Sequence, residues 1–512
     1  MRDDPLYLEP RLDPRTAALL DSAPLLHTLV DALGSPLNVL LPDRTADNVR
    51  RFRAVLDHHR LAGRIFFAHK ANRSSSLVRR LTTTDADIDV ASLDELRHAL
   101  GSGFTGSRIM ATGPKDPAFL WLAVRGGACL NADGPAELER AAALVRAHGL
   151  PRVRVLLRLS GFETSGTRRL MRESRFGTPV KSLHRLLDVL ARHRDELEPI
   201  GVGYHLDTTS LDEKAAALEG CLRAMEELRV HGFRPRVIDV GGGFGVNYLA
   251  YAAQWERWTT ELTAAVMGSR PPLTRGGHGY GLRVENGTLK GGLSLYPAHR
   301  PTAGAAYLDE LLSLPAPSLG RPLGTLLLES LYDLYVEPGR ALADQSGLTL
   351  GRVLEVRPTD SGESTVRLAM NAGDVGLEDH GVLMDPVVLP RDPAPPGAQG
   401  PVGQVGPVGQ VGPVGQVGPV GQVGPVAVHL MGNLCLEADL ITRRTVFLPR
   451  PPRPGDLLAF ANTAGYCMDF GATHAQQQPL ARKVAVHEEA GRWRWCLDEE
   501  YWPFDRTGEP QG

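Results

Sequence analysis

Lys70 closes a short apolar run, Ile65-Phe66-Phe67-Ala68-His69, and the polar Asn72 follows it. A lysine at the end of such a run can attack a carbonyl if its surroundings lower its pKa. Alone it reads equally well as a solvated loop residue. Later segments supply partners suited to a lysine-bound cofactor. Asp89-Val-Ala-Ser92, Arg158, Ser174-Arg-Phe-Gly177 and Tyr204-His205 come first. They are followed by Asp239-Val-Gly-Gly-Gly-Phe-Gly245, Glu337-Pro-Gly-Arg340, Asn433-Leu-Cys435 and Gly465-Tyr466. A glycine run after a strand lets backbone N–H groups approach a phosphate, and a helix N-terminus strengthens that field. Gly241-Gly-Gly243 by itself is only a tight turn. In this order, with Lys70 and Arg340, it is a strong phosphate signal.

These residues need a scaffold that brings strand ends together. Candidate strands are Ile65–Lys70, Ile88–Ser92, Arg108–Gly113, Ala128–Asp133, Val153–Ser160, Gly201–Asp207, Val237–Gly243 and Leu326–Glu337. Helical stretches separate them, among them Ser74 to Leu81, Leu93–Leu100 with capping-box spacing at Ser92 and Glu95, and Pro135–His148. Alternating strands and helices of this number predict an α/β fold with a parallel (β/α)8 TIM-like barrel over residues 43–340. The Gly-, Pro- and His-rich interval 271–322 reads as an insertion between the last two strands. Residues 1–42 read as a helix, a turn and a strand, packing with a second domain. That domain, 341–512, alternates strands with Gly/Pro turns and is expected to be a mostly antiparallel β domain. Its low-complexity loop, 397–425, contains four copies of Pro-Val-Gly-Gln-Val-Gly at 401–424. Pro and Gly at that density block helix and ladder alike, so the block reads as a loop without a catalytic role.

The totals exclude other classes. A net charge of -3, from 56 basic and 59 acidic residues, gives no electrostatic case for nucleic acid or an anionic membrane. The five scattered cysteines suit a reducing compartment better than a disulfide framework. With no apolar signal core after Met1 and no membrane-length apolar run, a cytoplasmic protein is expected.

From Gly34 to Gly471 the chain resembles the fold-type III pyridoxal-phosphate (PLP) decarboxylases, the ornithine, diaminopimelate and arginine decarboxylase family. Within it, Phe447-Leu-Pro-Arg-Pro-Pro-Arg-Pro-Gly-Asp-Leu and Asn462-Thr-Ala-Gly-Tyr466 are most similar to the branch called Y4yA-type PLP-dependent enzymes. The resemblance implies a PLP-dependent carboxy-lyase acting on an amino acid or an amino-acid-derived intermediate, built as a homodimer with shared active sites. Lys70 would carry the cofactor as a Schiff base, and a lowered pKa is expected for it. Glu337 would pair with the pyridine nitrogen, keeping the ring protonated as an electron sink. His205 would stack on the ring, with Asp89 and Arg158 also near the cofactor. Gly241, Gly242, Gly243, Arg340 and Tyr466 would cradle the phosphate. Cys435 would come from the other subunit to protonate Cα, and Asp385 would bind a substrate's distal amine. Without the resemblance, His205 reads as structural, Tyr466 as core, Cys435 as a small buried hydrophobe and Asp385 as a turn former.

Several positions depart from the family. Where a Gly-Ser step normally follows the histidine, this chain has Leu206-Asp-Thr-Thr-Ser210, so a hydroxyl of Thr208, Thr209 or Ser210 is the expected substitute. Asp207 there would repel a phosphate. Leu436 stands where an acidic residue usually follows the cysteine. The rivals are an amino-acid racemase or epimerase of the same fold and a non-catalytic PLP-binding homologue. Glu337 opposes the first, because racemases place an arginine at the ring nitrogen. Lys70, Glu337, Arg340 and Cys435 together oppose the second. Deleting residues 401–424 should leave yield of soluble, PLP-loaded protein unchanged, since loop length costs little. Cofactor absorbance of the purified deletion variant checks this.

Overall fold

The computed structural model describes residues 5–162, 174–206, 208–359, 363–391 and 425–503; the repeats at 401–424 and Asp207 lie outside them. Strand β1 (Leu37–Leu40) precedes eight parallel strands that close on themselves. These are β2 (Gly63–Ala68), β3 (Asp87–Val90), β4 (Ile109–Ala111), β5 (Cys129–Ala132) and β6 (Val153–Ser160), then β7 (Leu197–Tyr204), β8 (Val237–Asp239) and β9 (Asp333–Val336). Closure comes from β9 against β2, pairing Leu334 with Gly63 and Val336 with Ile65. Alternation sorts the side chains. Phe66 points inward to an inner cluster with Met110, Cys129, Leu156 and Tyr335. Its neighbours Ile65 and Phe67 face outward into the larger core against the helices.

The expected barrel is present, with local shifts. Helix Leu93–Gly101 starts as its sequence indicates: Ser92 Oγ accepts from Glu95 N, and Glu95 Oε2 accepts from Ala91 N at 2.6 Å. The Leu326–Glu337 run is not one strand. Pro322 opens a helix, Leu323–Glu329, a left-handed Leu331 turns the chain, and only Asp333–Val336 is extended. Between β8 and β9, the 271–322 interval forms a small exposed hairpin, Arg283–Glu285 with Thr288–Lys290, and then the helix Ala305–Ser313. No helix among the described residues is long and apolar enough to cross a membrane.

The second domain is a curled sheet of β10 (Gly347–Pro358), β11 (Ser364–Leu368), β12 (Val387–Leu389), β13 (Val426–Met431), β14 (Val446–Leu448), β15 (Leu457–Phe460), β16 (Arg482–Glu489) and β17 (Arg492–Leu497), with β1 inserted into it. Most pairs are antiparallel, but β1 with β16 and β11 with β13 are parallel. Two of these strands carry weak sequence signals: β12 is boxed between Pro386 and Pro390, and the apolar run of β16, Val484-Ala485-Val486, is flanked by charges. The sheet returns to the barrel mouth beside Lys70. Tyr466 N donates to Ala71 O at 2.8 Å, and Asn72 Nδ2 donates to Ala464 O at 2.9 Å. Asp498 accepts from Ser75 N and Ser76 N at 2.8 and 2.9 Å, capping the helix Ser75–Thr82 that leads away from Lys70.

Candidate active site

At the carboxyl ends of the barrel strands a cavity of about 710 Å³ gathers Lys70, His205, Gly242, Gly243, Glu337, Arg340 and Tyr466. Lys70 sits in a single tight turn, His69–Ala71, after β2 and opens into this space. Glu337 ends β9, buried, between His205 Nδ1 at 3.0 Å and Asn131 Nδ2 at 3.4 Å. The acceptor is a carboxylate, so His205 Nδ1 carries the proton.

Three buried carboxylates, Asp89, Asp239 and Glu337, compete here, and only Glu337 is held below its ordinary value. Burial pushes Glu337 up, but the His205 hydrogen bond and the charges of His205, Lys70 and Arg158 hold it below its ordinary value. Burial and repulsion from Glu337 push Asp89 and Asp239 well above the usual carboxylate range. Asp239 accepts from Gly241 N at 2.8 Å and so anchors the glycine turn. Burial, with Lys70 and Arg158 adding to it, lowers His205 despite Glu337.

The glycines are required by the space. Gly241 and Gly243 are left-handed, φ +64° and +83°. A Cβ on Gly241 would lie 2.6 Å from Tyr204 O, and one on Gly242 2.9 Å from Glu337 O. Beside this turn Arg340 donates to Gly465 O at 3.1 Å and to the Tyr248 hydroxyl, with Tyr466 4.9 Å from its guanidinium. Tyr466 itself is left-handed, φ +71°, a strained conformation held by its hydrogen bond to Ala71. A Cβ-free turn and an arginine at one end, a charged carboxylate at the other, and a lysine on the wall fit a phosphorylated heterocyclic aldehyde.

Residues 45–288 match the family model for the pyridoxal-dependent decarboxylase pyridoxal-binding domain. Over 493 residues the chain is 31% identical to an uncharacterized protein, y4yA, of Sinorhizobium fredii, with 94% of each chain covered. The chain belongs to the fold-type III PLP decarboxylase family. This decarboxylase is also 26% identical over 529 residues to diaminopimelate decarboxylase of Mycobacterium tuberculosis, covering 97% of each. Diaminopimelate decarboxylase of Helicobacter pylori, complexed with L-lysine, shares its fold with a TM-score of 0.65 at 17% identity, covering 92% of this chain and 95% of that one. Pyridoxal phosphate is the cofactor of this PLP-dependent carboxy-lyase.

Within the decarboxylase, not every expected residue joins the cavity. Arg158 pairs with Asp133 at 3.4 Å and packs its guanidinium 4.9 Å from the Phe176 ring. Cys435 is exposed in the β domain, its N–H donating to Gln476 Oε1 at 2.9 Å, and it does not line the cavity of its own chain. The expected lowering of Lys70 is not met. Burial opposes its charge, but Tyr466, Asp89 and Glu337 outweigh burial and raise it. The substrate role expected of Asp385 is also not met. Its carboxylate is buried, accepts from Leu8 N at 2.8 Å and is paired with the buried Arg444.

Two cations escaped the sequence reading. Lys214 lies fully buried beneath the glycine turn on the helix Leu211–Val230 and donates to Gly242 O, which fixes the Gly242–Gly243 peptide. Burial pushes it down to about 7. Its sequence context, Asp212-Glu213-Lys214, looks like any solvated helix start. Arg300, on the cavity wall, comes from the insertion. Replacing Asp385 by Ala strands Arg444 as a buried charge and should destabilise the protein by about 3–5 kcal/mol. Thermal unfolding measures that loss, and the order of preference among amino-acid substrates should stay unchanged.

Proposed function

We propose that the protein removes the α-carboxylate of an amino acid or an amino-acid-derived intermediate, with Lys70 holding the cofactor and Cys435 of a second subunit delivering the final proton. The observation that carries this reading is the charge retained on Glu337 in the cavity that also holds Lys70 and Arg340. When bound, pyridoxal phosphate supplies the electron sink that accepts the electron pair left as carbon dioxide departs. A charged Glu337 would keep a proton on the ring nitrogen, which makes that sink effective. An arginine there, as in racemases, would not. His205, fixed by its bond to Glu337, would cover one ring face. Gly242, Gly243, Arg340 and Tyr466 would hold the phosphate. Once Glu337 shares its charge with a protonated ring nitrogen, one of the groups that raise Lys70 is neutralised, which favours its free amine.

The exposure of Cys435 outside its own cavity supports a shared site in a homodimer, where its thiol would protonate Cα. Asp385 is sealed against Arg444 and is not open to a distal amine, so amines and carboxylates both belong in the substrate panel. Purified protein with PLP should show the absorbance of a lysine-bound cofactor, and borohydride should fix the cofactor to Lys70 in peptide maps. An adduct on Lys214, or none, would overturn this placement. Incubation with a panel of amino acids, followed by carbon dioxide release and product mass, identifies the substrate.

The shared site has its own test. Lys70→Ala should be inactive, and Cys435→Ala should slow turnover and release aldehyde and pyridoxamine phosphate through misplaced protonation. Mixing the two under subunit exchange should restore up to about a quarter of wild-type sites, the statistical share for a symmetric dimer. No recovery despite verified exchange would mean that each subunit completes its own site.

A further inference from the structure

The phosphate end of the cavity lacks the Gly-Ser step, and two of the three hydroxyls that follow His205, those of Thr208 and Ser210, are engaged locally. Thr208 Oγ1 accepts from Ser210 N at 3.0 Å, and Ser210 Oγ accepts from Glu213 N at 3.3 Å to cap the next helix. Arg300 reaches the same end from the 271–322 insertion and lines the cavity. Its backbone is clamped from both sides by Asn247, just past the glycine turn: Arg300 N donates to Asn247 Oδ1 at 2.9 Å, and Asn247 Nδ2 donates to Arg300 O at 3.1 Å. Beside it, Tyr296 accepts from Val246 N at 2.9 Å. The guanidinium lies 4.8 Å from the Tyr296 ring, and Arg340 lies 4.6 Å from the same ring. Gly245 is left-handed, φ +72°, and a Cβ there would lie 3.3 Å from Arg300 Nε.

This arginine is held but unspent. Its Nε is buried without a hydrogen-bond partner, and among the described residues no carboxylate pairs with it. Its Nη groups make no hydrogen bond among the described residues and are the donors left for an anion in the cavity that Arg300 lines. The insertion is fastened at this point as well, with Tyr307 donating its hydroxyl proton to Thr209 O at 3.0 Å.

We propose that Arg300 is a second anchor for the cofactor's phosphate, supplied by the insertion in place of the missing hydroxyl. The inference rests on the cofactor lying in the Lys70 cavity, as proposed above. It places a second guanidinium beside the glycine turn, near the Tyr296 ring that Arg340 also approaches. The amino-acid substrate's carboxylate offers related chemistry, but the contacts of Arg300 run to the glycine turn and to Tyr296 at the phosphate end.

The test compares the affinity of the full-length protein for pyridoxal phosphate with that for pyridoxal, which has the aldehyde but no phosphate. Arg300→Gln should weaken pyridoxal phosphate about 10- to 100-fold, the usual loss for a charge-assisted hydrogen bond, and leave pyridoxal unchanged. Arg300→Lys should recover part of that loss, and the phosphorus resonance of the bound cofactor should shift in both variants. Equal weakening of the two ligands would overturn the proposal, as would unchanged cofactor affinity with a raised KM for the amino acid. If Arg300→Gln does not fold, the Arg300→Lys ratio and resonance decide in the same way. Failure of the wild-type protein to attach the cofactor at Lys70 would instead count against the proposed function.

Discussion

The bond between His205 Nδ1 and the buried carboxylate of Glu337 sets the electrostatics of the whole barrel mouth. Burial works against a carboxylate's charge, and it pushes Asp89 and Asp239 well above the usual carboxylate range. Glu337 keeps its charge because an imidazole donor touches it and two cations face it. Geometry follows from that choice. Glu337 N is tied to Gly241 O at 2.9 Å, so the charged strand end and the glycine turn move as one piece. Asp239 spends an oxygen on the same turn. The acid that defines one end of the cavity therefore also shapes the other.

A second constraint is that neither domain owns the site. The barrel contributes Lys70, His205 and Glu337, while Tyr466 and Gly465 arrive from the sheet and are locked onto Ala71 and Arg340. A left-handed tyrosine would relax if that contact were lost, so its strain is maintained by docking. The insertion adds a third contributor. Its helix Ala305–Ser313 buries Leu308, Leu311 and Leu312, which turns an otherwise open excursion into a wall.

Much of this was legible in the chain, for physical reasons. Strand ends in a closed parallel barrel converge by construction, so Lys70, His205, Gly242 and Glu337 were placed together once their strands were recognised. The eight-strand rhythm survived even where a boundary was wrong, as in the leucine run before β9, because the helix it concealed still precedes a strand. Asp385 failed because proximity in sequence to Pro386 says nothing about Arg444, 59 positions later, which seals it. Lys214 and Arg300 failed for a related reason. Their roles depend on long-range packing against the turn, and each occupies a stretch whose local pattern is that of an ordinary surface. The expectation for Lys70 erred in sign, since burial was considered without the carboxylates that burial brings alongside.

The position of β1 has a consequence for how the chain is made. Leu37–Leu40 lies between β10 and β16, pairing Leu37 with Leu350 on one side and with Arg482 on the other. During synthesis this apolar strand, buried along its whole length in the finished protein, emerges hundreds of residues before either neighbour exists. The barrel can close in the meantime, because its last strand precedes β10. A finished barrel would thus stand outside the ribosome with β1 open on both edges, one to be covered by β10 and the other only later by β16. Such an edge invites pairing with other nascent chains. Truncation near the C-terminus is therefore expected to harm solubility more than its distance from Lys70 suggests.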